Sequence, residues 1–441
     1  MEQTLETKTN KVKEIVGKHV LADGFDFVMD IENSHGSWIH DQVSGKNYLD
    51  MFSMFASASI GYNHPYLVEK SAWLGKMAIN KPTLADVYSK EYADFLETFE
   101  RVVMPKELQY AFFIEGGTLG VENAMKACFD WKTKKNFEKD IDIEAGICIH
   151  FRQAFHGRSG YTLSLTNTAD PRKYQYFPMF EWPRILNPKL HFPITEENLE
   201  ETINNERLAL LNIEEAILSN PNKVACIIIE PIQAEGGDNH FRDEFFEDLR
   251  KLCDENEVLL IFDEVQTGIG ITGKMWAFQH LNIVPDIISF GKKTQVCGVL
   301  ANKEKFDEVP NNVFKESSRI NSTFGGNFID MLRFQLVMEV IEKENLVENA
   351  KVVGEYLLEK LQDLAQKYPD KISNARGKGL MCAIDLPTHE QRNQLREILY
   401  NDSLIILACG DCSLRFRPHL NVTKEEIQIA LDKIENNINK I

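Results

Sequence analysis

The middle of this sequence repeats one pattern, in which a short continuous apolar run is followed by a longer amphipathic stretch. The runs occupy residues 111–114, 147–151, 225–229, 258–262 and 286–290. Apolar runs of this length without polar alternation are typical of strands that are covered on both faces, as in a parallel sheet. The stretches between them, such as residues 118–132 and 241–255, have helical spacing. The alternation predicts an α/β domain built on a mainly parallel sheet.

The pattern changes after residue 325. Residues 330–343 are strongly apolar, and apolar residues then recur at helical spacing up to residue 364. A last helix is predicted to begin at Thr423, because Glu426 three residues later completes a capping box. Between these helices lie three strand-like segments, at residues 380–386, 404–408 and 414–416.

With 441 residues, the chain is too long for one simple core, so we expect it to divide into parts. An N-terminal segment, residues 1–65, is expected to pack with the C-terminal part. Residues 66–327 are expected to form the large domain, and residues 328–441 a smaller α+β domain.

The net charge of −18 makes binding to nucleic acid or to anionic membranes unexpected. The first residues are polar and no apolar run has the length of a membrane span, which predicts a cytoplasmic protein. The eight cysteines are scattered, unlike those of a disulfide framework. Cys409 and Cys412 have the spacing of half a zinc site, but no second pair completes it, so two reduced thiols are expected.

Polar and glycine residues follow each of the apolar runs. Ligands of open α/β sheets bind at the carboxyl edge of the strands, so these residues are candidates for a site. After the first run, Gly116, Gly117 and Thr118 begin a helix whose free N–H groups suit a phosphate. The glycine and lysine spacings of P-loop and dinucleotide fingerprints are absent, which argues against the alternative of a nucleotide-binding α/β protein.

An acid and a lysine, Asp263 and Lys292, each follow a predicted buried strand. They could form a simple ion pair. Pyridoxal phosphate (PLP) chemistry provides a more specific interpretation, in which the lysine forms a Schiff base with the cofactor and the acid keeps the pyridine nitrogen protonated. Burial would lower the pKa of such a lysine and free its amine. Lys293 is a rival for this role, and Phe155 or His156 could stack on the ring or belong to the core.

Two segments resemble the cofactor signature of class III (ω) aminotransferases: residues 260–268 (LIFDEVQTG) and 285–292 (PDIISFGK). The resemblance implies a PLP-dependent enzyme of fold type I. It also implies a homodimer with active sites shared between subunits. Further matching segments lie at residues 48–50, 61–65, 116–118, 155–158, 230–233, 322–327 and 414–418.

The resemblance assigns roles by position. It makes Lys292 the cofactor lysine and Asp263 the partner of the pyridine nitrogen. Thr323 would reach the phosphate in the partner subunit. The other residues that it places at the cofactor are Gly117 and Thr118 at the phosphate, Phe155 and His156 at the ring, and Gln266 near the ring hydroxyl.

Within the class, the chain is most similar to the subgroup that acts on the terminal amine of L-lysine. Residues 290–299 (FGKKTQVCGV) and 155–165 (FHGRSGYTLSL) carry this similarity. Most of the class has a glycine-rich stretch after the cofactor lysine and an arginine at the position of Ile271, and the departures here fit the subgroup. Gly116 replaces a common serine, which removes one expected phosphate contact, and His419 replaces a proline without an evident role.

This resemblance implies transfer of the 6-amino group of L-lysine to 2-oxoglutarate, giving 2-aminoadipate 6-semialdehyde and L-glutamate. Arg158 would bind the distant carboxylate by a bidentate pair, and Arg415 the near carboxylate of glutamate or 2-oxoglutarate. Glu235 would pair with Arg415 during the lysine half-reaction and move away during the other; alternatively, this is a fixed structural ion pair. Gln266 and Asn321 are further expected substrate contacts. Ornithine or 4-aminobutyrate as the donor, and an aminomutase, remain alternatives.

Overall fold

The computed structural model describes residues 9–441. Its strands are β1 (Trp38–His40), β2 (Asn47–Asp50), β3 (Tyr110–Ile114), β4 (Ile147–Phe151), β5 (Arg184–Ile185), β6 (Val224–Ile229), β7 (Leu259–Asp263), β8 (Ile287–Phe290), β9 (Cys297–Ala301), β10 (Ser373–Lys378), β11 (Met381–Asp385), β12 (Leu404–Ile405), β13 (Leu407–Cys409) and β14 (Ser413–Phe416).

The helices cover the sheets and connect their strands. They are α1 (Val12–Gly17), α2 (Ser53–Ala56), α3 (Pro65–Glu69), α4 (Ser71–Met77), α5 (Lys90–Val102), α6 (Gly117–Glu138), α7 (Gly160–Leu165), α8 (Glu196–Ser219), α9 (Asp243–Glu255), α10 (Lys303–Asp307), α11 (Phe328–Lys343), α12 (Leu346–Lys367), α13 (His389–Asn401) and α14 (Lys424–Asn437). Short 3₁₀ turns include Pro171–Lys173 and Lys292–Thr294. Among residues 9–441, no helix is long and apolar enough to span a membrane.

The largest sheet has the strand order β3-β9-β8-β7-β6-β4-β5. The pairs from β8 to β5 are parallel, and β9 runs antiparallel to both of its neighbours. The α/β prediction is confirmed, and the apolar runs of the sequence form β3, β4, β6, β7 and β8. Strand β9 was not predicted, because it follows β8 after a short turn without a helix between them. Its Gly298 is required by close packing, since a Cβ there would lie 2.1 Å from the carbonyl oxygen of Phe112.

The central strands are buried on both faces, which explains their continuous apolar runs. In β6, Ile227 and Ile229 point into one apolar cluster and Cys226 and Ile228 into another on the opposite face. Helix α9 packs into the first cluster and helix α6 into the second. Because helices cover both faces of the sheet, polar groups can contact a ligand at the ends of its strands.

Two smaller sheets complete the chain. An antiparallel sheet, β10-β11-β14-β13, is packed against α12 and α13, which confirms the predicted C-terminal α+β region. Helix α14 begins at the predicted capping box, where Glu426 N–H donates to Thr423 Oγ1 at 3.1 Å and Thr423 N–H donates to Glu426 Oε2 at 2.9 Å. In the third sheet, β12 pairs in parallel with β2, joining residues 404–405 to residues 49–50.

Candidate active site

A cavity of about 360 Å³ lies at the carboxyl edge of the large sheet. It brings together ten of the residues that the sequence predicted for the site. These are Gly117, Thr118, Phe155, His156, Arg158, Glu235, Asp263, Gln266, Lys292 and Arg415. Asn321 and Thr323, which were also predicted, do not line this cavity and are exposed to solvent. The loops after β3, β4, β6, β7 and β8 converge here because the parallel strands end at the same edge.

The two neighbouring lysines point in different directions. Lys292 lines the cavity, and its Nζ lies 3.2 Å from the carbonyl oxygen of Phe55. Lys293 is 1% exposed, and its Nζ donates to the carbonyl oxygen of Gln266 at 2.9 Å, outside the lining of the cavity. Burial, with help from Arg415, lowers the pKa of Lys292 to about 8, so a neutral amine is available near neutral pH. The geometry therefore favours Lys292 as the reactive amine.

The carbonyl that faces Lys292 belongs to an unusual turn. All four residues of α2 have positive φ angles, between 42° and 63°, so the turn is left-handed. Left-handed turns cost L-residues roughly 1–2 kcal/mol per residue, so the surrounding structure must hold this one in place. The Asp50 carboxylate does so by accepting from the N–H groups of Phe52 and Ser53 at 2.7 and 2.8 Å and from the Tyr62 hydroxyl at 2.6 Å.

His419 packs behind this anchor. Its ring meets the Tyr62 ring edge to face, with the centroids 5.0 Å apart, and its Nε2 lies 3.9 Å from Asp50. Burial lowers the pKa of His419, which therefore stays neutral at pH 7. A residue for which the sequence indicated no role thus supports the turn that positions Phe55.

Asp263 ends strand β7 and is almost fully buried. Its Oδ2 accepts from His156 Nδ1 at 2.8 Å, and its Oδ1 accepts from Ser289 Oγ at 3.2 Å and from the N–H of Val265 at 3.1 Å. These donors fix the direction of the carboxylate. The arrangement provides an oriented anion at the wall of the cavity, which suits a protonated ring nitrogen.

The first turn of α6 forms another wall. Gly116 precedes it with a φ of 92°, a conformation that favours glycine over residues with a side chain. Gly117 and Thr118 then line the cavity with N–H groups at the positive end of the helix. A Cβ on Gly117 would lie 3.2 Å from Val265, so the glycine keeps this wall open. The wall suits a phosphate group.

The remaining lining suits a flat polar ring. The Phe155 side chain lines the cavity, and Gln266 Oε1 is buried there with no hydrogen-bond partner in the described part of the chain. An unsatisfied amide oxygen indicates a donor group on a ligand. PLP fits this cavity. The cavity contains a reactive amine, an oriented carboxylate, helix N–H groups suited to a phosphate and a lining suited to a flat polar ring.

Glu230 also lines the cavity, although its motif was not given a role from the sequence. Its two carboxylate oxygens accept from the N–H groups of Phe155 at 2.9 Å and Ala234 at 3.0 Å. Burial raises its pKa to about 7. Glu230 therefore ties the loop that carries Phe155 to the loop that carries Glu235, two segments that are distant in sequence.

The predicted partners Glu235 and Arg415 form an ion pair, with 2.9 Å between Glu235 Oε2 and Arg415 Nη2. Arg415 is 4% exposed, and it also donates to the Ala234 carbonyl oxygen at 3.3 Å. Burial opposes ionisation of Glu235, but Arg415 and Lys173 together hold its pKa below the usual value. At pH 7 the pair is therefore charged on both sides and compensated.

Lys173 is a cavity residue that was missed in the sequence. It lies in the 3₁₀ turn Pro171–Lys173, and its Nζ is 2.6 Å from Glu235 Oε1. The Nζ also lies over the Phe155 ring, 5.7 Å from the centroid. No local pattern could have identified it, because the segment between α7 and β5 has neither helical nor strand periodicity. Arg158, at the mouth of the same cavity, is exposed.

The predicted reduced thiols are both free. Cys409 is buried at the end of β13, and Cys412 is partly buried in the turn before β14. They lie on the hairpin whose second strand carries Arg415.

Comparisons with known proteins agree along the chain. Residues 21–438 match the family described as aminotransferase class-III. The L-lysine-epsilon aminotransferase of Mycobacterium tuberculosis is 48% identical over 434 residues, covering 98% of this chain and 96% of that protein. The protein of the same name from Streptomyces clavuligerus is 46% identical over 437 residues, covering 98% and 94%. A 4-aminobutyrate aminotransferase from Dictyostelium discoideum is more distant, at 34% identity over 435 residues, covering 94% and 86%.

A solved structure described as lysine aminotransferase from M. tuberculosis in the internal aldimine form has the same fold. Its TM-score with this chain is 0.95 at 47% identity, and the match covers 98% of this chain and 99% of that one.

Proposed function

Because the chain belongs to the class III aminotransferases, we propose that it transfers the 6-amino group of L-lysine to 2-oxoglutarate with PLP as its cofactor. The products are 2-aminoadipate 6-semialdehyde, which cyclises to an imine, and L-glutamate. The observation that carries the proposal is the ion pair between Glu235 and Arg415 inside the cavity that contains Lys292. The fold is that of PLP-dependent fold type I enzymes.

When bound, PLP supplies an electron sink that stabilises negative charge on the substrate carbon next to the reacting nitrogen. Lys292 would hold the cofactor, and Asp263 would keep its ring nitrogen protonated, with His156 and Ser289 fixing the carboxylate. Gly117 and Thr118 would bind its phosphate. The positions of these side chains in the lining of the cavity support these roles.

Lys292 Nζ acts as the general base that takes a proton from the substrate carbon bearing the amino group, and then as the acid that delivers it. A pKa of about 8 suits both roles near neutral pH, because the amine is available in neutral and protonated forms. The Phe55 carbonyl oxygen, 3.2 Å away, orients this amine. The left-handed turn thus contributes to placement of the catalytic group.

The enzyme must accept two substrates whose carboxylates lie at different distances from the reacting nitrogen. The α-carboxylate of lysine is far from its terminal amine, and Arg158 at the mouth of the cavity would bind it. Glutamate reacts through its α-amine, and its near carboxylate would bind Arg415. During the lysine half-reaction Glu235 neutralises Arg415, which would otherwise repel the ammonium of the substrate.

The most direct test uses L-lysine labelled with ¹⁵N on one amine, together with 2-oxoglutarate. With the 6-amino group labelled, we expect label in the glutamate product, and with the 2-amino group labelled we expect none. Ornithine and 4-aminobutyrate are the comparison donors, and each should react more slowly than lysine. Label arriving from the 2-amino group, or no need for 2-oxoglutarate, would contradict the proposal.

We further propose that two chains share their active sites. Thr323 and Asn321 are exposed here and do not reach the cavity of their own chain, as expected if they serve a partner. Next to them, Lys81 lies over the Phe324 ring at 4.1 Å, and Leu84 N–H donates to the Phe324 carbonyl oxygen at 3.4 Å. The segment that carries Lys81 and Leu84 also exposes two apolar side chains, Ile79 and Tyr88, at 78% and 79%. A partner chain would cover this apolar surface.

Light scattering on the PLP-loaded protein should give twice the 50.6 kDa mass of one chain. Thr323→Ala should keep that mass but release PLP faster on dilution, because one phosphate contact is lost. A fully active monomer would refute the shared site.

A further inference from the structure

Two cations hold the Glu235 carboxylate. Its Oε2 lies 2.9 Å from Arg415 Nη2, and its Oε1 lies 2.6 Å from Lys173 Nζ. The side chains of Lys173 and Glu235 are 22% and 25% exposed, so water screens this contact only in part. If Glu235 leaves Arg415, Lys173 remains as a partner for a carboxylate that is otherwise costly to leave unpaired.

The backbone of the Glu235 loop is fixed. Gly410 N–H donates to the Glu235 carbonyl oxygen at 2.9 Å, and Arg376 Nε donates to the Asp238 carbonyl oxygen at 3.0 Å. The Asp238 carboxylate forms a fully buried ion pair with Arg417, which donates from Nη1 at 2.9 Å. A change of partner at Glu235 must therefore come from rotation of its side chain.

There is space for such a rotation. A second cavity of about 580 Å³ lies beside the first, and both Lys173 and Glu235 line both cavities. The walls of the second cavity carry Arg172, Arg392 and Arg396 together with Asp170 and Asp411. Asp170 pairs with Arg172 at 2.8 Å, so Arg392 and Arg396 are the cations that a displaced carboxylate would meet. Lys173 lies between the present position of the Glu235 carboxylate, on Arg415, and the second cavity.

We propose that Lys173 is the positioning residue of the Glu235 switch. It holds Glu235 Oε1 in both states and is the pivot about which the carboxylate turns from Arg415 into the second cavity. Its positive charge offsets the loss of Arg415 when the near carboxylate of glutamate or 2-oxoglutarate binds there. This inference rests on the proposed function, since it requires one substrate that uses Arg415 and one that does not.

A competing role for Lys173 is direct binding of a substrate carboxylate, since its Nζ lies in the lining of the main cavity. The two roles differ in their dependence on Glu235. A pivot has no effect on substrate once Glu235 is removed, whereas a direct contact persists without it.

The experiment measures each half-reaction separately on the PLP-loaded enzyme, by single turnover with L-lysine or with L-glutamate. Lys173→Met should lower kcat/KM with glutamate roughly 10- to 100-fold, the loss expected for a charge-assisted hydrogen bond, and the lysine half-reaction should change about threefold or less. Lys173→Arg should restore the glutamate half-reaction. Lys134→Met is the matched control, because Lys134 is also a partly exposed lysine that pairs with carboxylates, those of Asp130 and Glu316, and it lines neither cavity.

Binding of glutarate, a five-carbon dicarboxylate without a reacting group, gives a readout independent of turnover. Calorimetry should show weaker glutarate binding to Lys173→Met, and Lys173→Gln serves if the Met variant does not fold. In a Glu235→Ala background, Lys173→Met should cause no further loss. Equal loss in both half-reactions, no loss in either, or a loss that persists without Glu235 would each overturn the pivot. A wild-type enzyme that transfers no amine from lysine would overturn the proposed function instead, and this is seen before any variant is made.

Discussion

Replacement of Lys292 by alanine should lower turnover by about 10⁴-fold, the upper end of the effect of an acid–base group, because the substitution removes the amine that serves as both base and acid. The protein should still fold, since the substitution removes one side-chain hydrogen bond, from Lys292 Nζ to the Phe55 carbonyl oxygen, and leaves the backbone contacts in place. It should also still bind L-lysine, so the loss should fall on kcat. Single-turnover measurement with L-lysine and L-glutamate in separate reactions gives the size of the loss in each half.

Lys293 provides the control within the same dipeptide. Lys293→Met removes a buried amine with little change in volume, and turnover should stay within about tenfold of wild type. Borohydride reduction of the loaded enzyme, followed by peptide mass spectrometry, should place the cofactor on Lys292. Cofactor found on Lys293, or full turnover in Lys292→Ala, would reverse the assignment.

The second large effect is that substitutions of Arg415 and Glu235 should each impair a different half-reaction. Arg415→Met should lower kcat/KM with glutamate roughly 10²- to 10³-fold, because the near carboxylate loses a charged partner in a buried site. Glu235→Ala should lower the lysine half-reaction roughly 10- to 100-fold, because Arg415 is left uncompensated beside the ammonium of lysine. Each variant should affect the other half-reaction much less.

The fact that each variant impairs a different half-reaction separates a switch from a fixed structural pair. If Glu235 and Arg415 only stabilised the loop, substitution of either residue would lower the rates of both half-reactions and the thermal stability of the protein. Glu244→Ala serves as a control, because it removes an ion pair with Arg242 that does not line the cavity. Equal losses of lysine and glutamate turnover in Glu235→Ala would leave the pair as a structural contact.

The elements that the sequence predicted correctly share one property: their signals are local. Strands β6 and β7 are buried on both faces, so each appears as a continuous apolar run. The position of Asp263 follows directly, because it ends one of these runs at the edge where parallel strands bind ligands. The start of α14 was predictable for the same reason, since Thr423 and Glu426 lie three residues apart.

The family resemblance assigned the cofactor role to Lys292, but only the tertiary structure gives a physical reason to favour it over Lys293. Both follow β8 in the same short turn, and the direction of each side chain depends on the backbone, with Lys292 at a φ of 55°. The Lys292 amine contacts the carbonyl oxygen of Phe55, in the left-handed turn 237 residues away. The Lys293 amine contacts the carbonyl oxygen of Gln266. Contacts at such separation leave no periodic pattern in the sequence.

The Glu235 site was likewise completed by the fold. The sequence determined that an acid follows β6 and that an arginine lies in β14, and the fold set the distance between them. The third member, Lys173, comes from a non-periodic loop and reaches Glu235 only because the loops after β4 and β6 converge at one edge of the sheet. The sequence thus determined the five strands that are continuous apolar runs and the chemical groups at their ends. The tertiary structure decided which groups pair, because pairing depends on long-range packing and on charges that are compensated only when distant segments meet.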